Sequence, residues 1–167
     1  MKKVVVLIVL FIGGVSHAQQ EIKVDLLDAL ALKTMGISYE YYINDQSSVG
    51  VSALVNFEKQ SADFRYNEDR MITPYFRHYF TTNQNWNMFG EVFFAINKGE
   101  KKTAVIGSNT KIYKKYSDGA LGVSVGTKYY SNAGFVLDIY AGLGRNMFTE
   151  NSPSVVPRIG INVGYRF

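Results

Sequence analysis

The 167-residue sequence predicts an all-β fold: an eight-stranded, closed, antiparallel up-and-down barrel that crosses a membrane. Three observations carry this reading. Apolar and polar side chains alternate with period two in eight segments of about ten residues, the length a tilted strand needs to span a bilayer. The connections alternate between short turns and longer polar loops, as in membrane barrels. Aromatic residues gather beside the short turns. The mean hydropathy of −0.06, despite 47% hydrophobic residues, is what such alternation produces.

The chain opens with Met1-Lys2-Lys3, an apolar stretch from Val4 to Val15, and the small residues Ser16 and Ala18. This reads as a secretory signal over residues 1–18, cut before Gln19, with the barrel over 19–167. No run of ~18 apolar residues exists for a membrane helix. The absence of Cys excludes disulfides and a lipoprotein anchor. Loss of Lys2 and Lys3 reduces the formal charge of +4 to +2, which removes the main support for nucleic-acid binding.

The predicted strands are 21–30, 35–43, 48–58, 70–80, 87–97, 119–130, 134–147 and 155–167. The first runs to residue 30 or ends near Leu27, because Asp28 would fall on its apolar face. In the second, Ile37, Tyr39, Tyr41 and Ile43 oppose Ser38, Glu40, Tyr42 and Asn44. The third sets Val49, Val51, Ala53, Val55 and Phe57 against Gly50, Ser52, Leu54, Asn56 and Glu58. Residues 44–47, 81–86 and 131–133 form the short turns, and 59–69 and 98–118 the long loops. Pro74 and Pro157 follow outer loops and are expected at the outer rim, where bulges excuse a missing N–H.

Tyr41, Tyr42, Tyr79, Phe80, Trp86, Tyr129, Tyr130, Phe135, Tyr165 and Phe167 lie beside the short turns and are read as one interfacial belt. Phe57, Phe64, Tyr113, Tyr116 and Phe148 supply a looser girdle opposite. Gly36, Gly50, Gly122, Gly126, Gly142, Gly144, Gly160 and Gly164 share the inward phase, and Gly90 faces out. A narrow barrel is filled by side chains, so small inward residues make room for larger neighbours. The same phase sends Glu40, Arg77, Glu91, Lys128, Asp138, Arg158 and Arg166 inward, where buried charges must pair. A salt-bridged plug is favoured over a gated path.

Val155, Pro157, Ile159, Ile161, Val163, Tyr165 and the terminal Phe167 share one face. This resembles the terminal signal of outer-membrane proteins, with Tyr165 and Phe167 the residues the barrel-insertion machinery would read. With its eight segments, the chain resembles the small outer-membrane barrels of the OmpA transmembrane-domain and OmpX type. Gly36-Ile37-Ser38-Tyr39-Glu40-Tyr41 and Ile72-Thr73-Pro74-Tyr75-Phe76-Arg77-His78-Tyr79-Phe80 are similar to envelope barrels of unassigned function. The periplasmic peptidoglycan-binding domain of full-length OmpA has no counterpart in this sequence. The resemblance implies an outer-membrane location in a Gram-negative envelope, with both termini periplasmic.

Chemistry is sparse. His78 is the one His after residue 18, which makes a poor metal site, and an interfacial polar role is expected. Lipid A deacylases resemble this size class and use a His-x-Ser pair, but His78-Tyr79-Phe80 lacks the Ser. The larger barrel and acid–His pairs of omptin-like proteases are missing too. No catalysis and no cofactor are expected. The loop 98–118 holds Lys98, Lys101, Lys102, Lys111, Lys114 and Lys115 against Glu100 and Asp118. On the outer face it would meet lipopolysaccharide phosphates. The expected role is structural, adhesive or surface interaction through outer loops, by a monomer in contact with outer-membrane lipid. The rivals are a narrow porin-like pore for small solutes, and a secreted lipocalin-like binder needing the inverse phase.

Overall fold

The computed structural model describes residues 19–27, 34–57, 68–82, 85–104, 111–149 and 152–167; the signal segment and Phe64 lie outside these. Eight strands form one ring: β1 (Gln20–Asp25), β2 (Thr34–Asn44), β3 (Ser47–Asn56), β4 (Glu68–Tyr79), β5 (Trp86–Ala104), β6 (Lys111–Tyr130), β7 (Phe135–Asn146) and β8 (Val155–Arg166). Each pairs antiparallel with its sequence neighbours, and β1 pairs with β8 to close the barrel. Gln20 and Phe167 exchange backbone hydrogen bonds of 3.1 and 2.9 Å, so the two ends of the barrel chain meet at the short-turn rim.

The alternation fixes which face each side chain takes. Along β4, Met71, Thr73, Tyr75, Arg77 and Tyr79 are buried, while Ile72 and Phe76 are exposed. Ile37, Val51, Val92, Val123, Val125, Leu143 and Ile159 continue the exposed apolar surface around the ring. The interior holds nearly all the buried polar residues, the inverse of a barrel built for an apolar ligand in its lumen.

Close approach explains two inward glycines. A Cβ on Gly50 would run into the Tyr75 ring and come within 2.7 Å of the Tyr39 carbonyl. One on Gly126 would lie 2.6 Å from Phe89 Cζ. Gly50→Val is therefore expected to destabilise the barrel by about 1–3 kcal/mol through overpacking. Urea unfolding, followed by the shift between folded and unfolded gel bands, measures this.

Several expectations need correction. β1 stops at Asp25, close to the earlier of its two expected ends and not at residue 30: the Asp25 carboxylate accepts the Leu27 amide at 2.9 Å and turns the chain. Much of the expected loop 98–118 is strand: β5 and β6 pair out to Ala104 and Lys111. The residues of this extension are largely polar, so no apolar face repeats to give a sign of it. Asp118 is no free loop acid. It accepts the amides of Gly119 (2.7 Å), Phe148 (2.9 Å) and Thr149 (3.1 Å) and the Ser152 hydroxyl, fastening the β7–β8 connection to β6.

Pro74 sits mid-strand opposite Val51, not at the rim. The β4–β5 pairing lapses opposite Thr73 and Pro74, and it resumes in the same register without a bulge. The ladder thus tolerates the missing donor by omitting pairs. Pro157 is the third residue of β8, opposite Leu143 of β7, near the outer end as expected. Tyr42, Tyr79 and Tyr130 do not join the outer belt. Tyr79 is buried in the lumen, and Tyr42 and Tyr130 lie against the Arg166 guanidinium. Tyr116 is likewise buried, whereas Phe57 and Phe148 are exposed as expected.

Candidate functional site

Six of the seven charges expected in the lumen, Glu40, Arg77, Glu91, Lys128, Asp138 and Arg158, are at most 6% exposed. They stand on β2, β4, β5, β6, β7 and β8, so the ring itself brings them together. Glu40 is the hub. Its Oε2 faces Lys23, Arg77 Nη1 at 3.0 Å and Lys128 at 3.0 Å. Its Oε1 accepts Ser48 Oγ at 2.6 Å and Tyr79 OH at 2.5 Å. The Tyr75 hydroxyl adds a longer bond of 3.3 Å, over the space Gly50 leaves open.

Arg77 works as a fork. Nη1 donates to Asp138 Oδ2 at 2.7 Å as well as to Glu40, and Nε donates to Glu91 Oε2 at 2.7 Å. Glu91 is shared with Arg158, whose Nε lies 2.6 Å away, and with Ser124 at 2.9 Å. Tyr75, Phe89 and Tyr140 rings surround the Arg77 guanidinium at 4.2 to 5.5 Å. Such a planar fork suits both carboxylate pairing and ring stacking. The charges are thus wrapped in aromatic side chains as well as paired.

The phase of the first strand also holds two members absent from the expected cluster, Glu21 and Lys23. Both are fully buried. Lys23 donates to Asp138 at 2.7 Å, and Lys128 and Arg166 converge on Glu21 at 2.7 and 2.6 Å. The signal was present: if Ile22 and Val24 face out, Glu21 and Lys23 face in. The complete network has five cations (Lys23, Arg77, Lys128, Arg158, Arg166) and four carboxylates (Glu21, Glu40, Glu91, Asp138). Buried Asp25 lies beyond it.

This network separates two cavities. One, of about 520 Å³, opens at the short-turn end between Tyr42, Asn87, Tyr130 and Arg166. The other, of about 290 Å³, lies above it against Ser38, Ser52, Tyr75 and Arg158. Arg77, Lys128 and Glu40 fill the waist, with side chains in contact across the lumen.

Of the basic segment, Lys98 is exposed opposite Ser117, and Lys115 is 87% exposed with Nζ 4.0 Å from Glu100. The side chains of Lys101, Lys102, Lys111 and Lys114 lie outside the described residues, but their backbones are paired in the ribbon. Lys101 stands directly opposite Lys114, a like-charge pairing that is unfavourable within a sheet. Tyr165 and Phe167 face outward at the closing seam. His78 is exposed near the same rim, with Nδ1 3.3 Å from Ser47 Oγ and its ring edge-on to Phe80.

A closed ring of eight antiparallel strands, apolar outside and ionic inside, has the fold of the small outer-membrane barrels. The chain belongs to the DUF3575 family of proteins of unknown function, whose model matches residues 4–154. No curated protein matches it. The N-terminal β-barrel domain of Pseudomonas aeruginosa OprF is similar, with a TM-score of 0.58 at 16% identity, over 90% of this chain and 96% of that one. Neisserial surface protein A is similar with a TM-score of 0.54 at 17% identity, over 90% and 96% of the respective chains. At these identities the likeness is one of fold.

Proposed function

We propose that the chain is an integral outer-membrane barrel, secreted by its residues 1–18, which acts at its outer end through surface interaction and not by transport or catalysis. The observation that carries this reading is the Glu40–Arg77–Lys128 waist. A lumen tied off by paired, buried charges offers no path, so function moves to what projects from the barrel. Among the described residues the β5–β6 ribbon is the longest of these projections, and its six lysines give it a local excess of positive charge. Lysine ammonium groups bind phosphates as point charges, so lipopolysaccharide phosphate is the partner we favour. The likeness to a protein named for its place on the Neisserial surface supports the same placement.

The test exchanges Lys98, Lys101, Lys102, Lys111, Lys114 and Lys115 for Ser and leaves the ribbon length unchanged. Binding of the purified barrel to lipopolysaccharide vesicles should fall, and the wild-type binding should weaken with added salt. Equal binding by the two proteins excludes the ribbon as the contact. Conductance of discrete, porin-sized steps in planar bilayers would instead favour the pore. Recovery of the protein from the soluble periplasm without detergent would refute membrane insertion.

A further inference from the structure

The proposed cut before Gln19 makes Gln19 the first residue of the mature chain, and the barrel holds that residue in place. Its carbonyl accepts the Tyr42 amide at 3.1 Å, and its side-chain Oε1 accepts Arg166 Nη1 at 3.0 Å. The next residue is locked into the closing seam. Gln20 exchanges backbone hydrogen bonds with Phe167, and its Oε1 accepts the Tyr39 hydroxyl at 2.7 Å. Gln19 is exposed, whereas Gln20 is buried. Of two adjacent glutamines, the one that the cut brings to the chain end is the one within reach of solvent.

A free α-amine on a glutamine has an electrophile within the same residue. The neutral amine nitrogen attacks Cδ of the side-chain carboxamide, and the new N–Cδ bond closes a lactam. The Cδ–Nε2 bond breaks, and one amine proton leaves with Nε2 as ammonia. No co-reactant is needed. Attack places negative charge on Oε1, and a preorganised donor on that oxygen stabilises it. Arg166 is that donor, and its guanidinium stays charged throughout. The oxygens that bind Tyr42 and Arg166 both survive in the product, as the α-carbonyl and the lactam carbonyl. The reaction discards only the side-chain nitrogen.

We propose that the mature chain begins with pyroglutamate at position 19, formed from Gln19 with the Arg166 guanidinium on its reacting carboxamide oxygen. The product has no α-amine for an aminopeptidase to grip. Two residues inward lies Glu21, the carboxylate that Lys128 and Arg166 share. Trimming from this end would remove it, so a closed ring at residue 19 guards the first strand's part of the buried network. This inference rests on the leader cut proposed above.

The chain is expressed with its leader in a Gram-negative host, the barrel is extracted from outer membranes, and its intact mass and first residue are determined. A chain that starts at Gln19 and is lighter by one ammonia is expected. Gln19→Asn, whose side chain is one carbon too short to close the ring, should keep its full mass and the same heat-modifiable gel shift. For rates, residues 19–167 are refolded behind a leader that a protease removes before Gln19, and the product is split between detergent and urea. The folded barrel should lose ammonia about tenfold faster than the chain in urea, the factor one hydrogen bond to a charged group supplies. Arg166→Met should bring the folded rate down to the urea rate. A chain of full mass beginning at Gln19, or equal rates in folded and unfolded protein, overturns the proposal and leaves the cut standing. A chain beginning elsewhere overturns both.

Discussion

Glu40→Ala lowers the free energy of unfolding by about 3–5 kcal/mol, the range seen when one member of a buried ionic group is removed. The effect is large because Lys23, Arg77 and Lys128 all rely on the same carboxylate and none has water to turn to. Ser48 and Tyr79 also lose their acceptor. Glu40→Gln keeps the shape and an acceptor oxygen, so it separates charge from packing: most of the loss should persist. A second replacement, Lys128→Met, should return part of the stability to Glu40→Ala by removing one stranded cation. Urea titration of the barrel in lipid vesicles reads all three. A loss below about 1 kcal/mol for Glu40→Ala would mean the network is hydrated, and the waist would no longer argue against a pore.

Val125→Arg tests the outside as directly as Glu40 tests the inside. Val125 is 68% exposed midway along the part of β6 that pairs with β7, Ala120 to Tyr130, opposite Gly90 and Ala141, with no interior role. On a water-facing sheet such a change is worth within about 0.5 kcal/mol. At the midplane of a bilayer an arginine on the lipid face costs about 2–4 kcal/mol. The same substitution thus has opposite consequences under the two placements, and its cost should fall towards zero when moved to the exposed Leu121→Arg near the outer end. Equal, negligible effects at both positions would place this surface in water.

Most of the architecture was legible because a closed barrel imposes one rule on every spanning strand. Ile37, Val123 and Ile159 face out, and Glu40, Lys128 and Arg158 face in, by parity alone. The rule fails where its physical cause ends. From Lys98 to Ser117 the residues are largely polar and no apolar face repeats, so the segment reads as loop. Aromatic residues mislead for a different reason. Tyr42 and Tyr79 lie beside the short turns, as belt residues do, but their parity is inward. Their hydroxyls serve Glu21 and Glu40, work that an amphipathic ring does as well as interfacial anchoring. Glu21 and Lys23 were within reach of parity, and the parity of Asp28 pointed to an early end of β1, but the exact stop depends on one side-chain bond from Asp25.

The shortness of β1 also bears on the order of assembly. Every other adjacent pair joins residues close in sequence and can zip from its own connection, but β1 and β8 come together across most of the chain, Glu21 opposite Arg166. Closing so long a loop carries the largest entropic cost and comes last in folding. Among the described residues the ladder that rewards it is the Glu21–Asp25 strip. Ring closure is therefore the slow step, and Arg166 reaching Glu21 beside the terminal Phe167 acts as its latch. Amide exchange should reach this seam before any other, from a barrel still intact along its remaining staves.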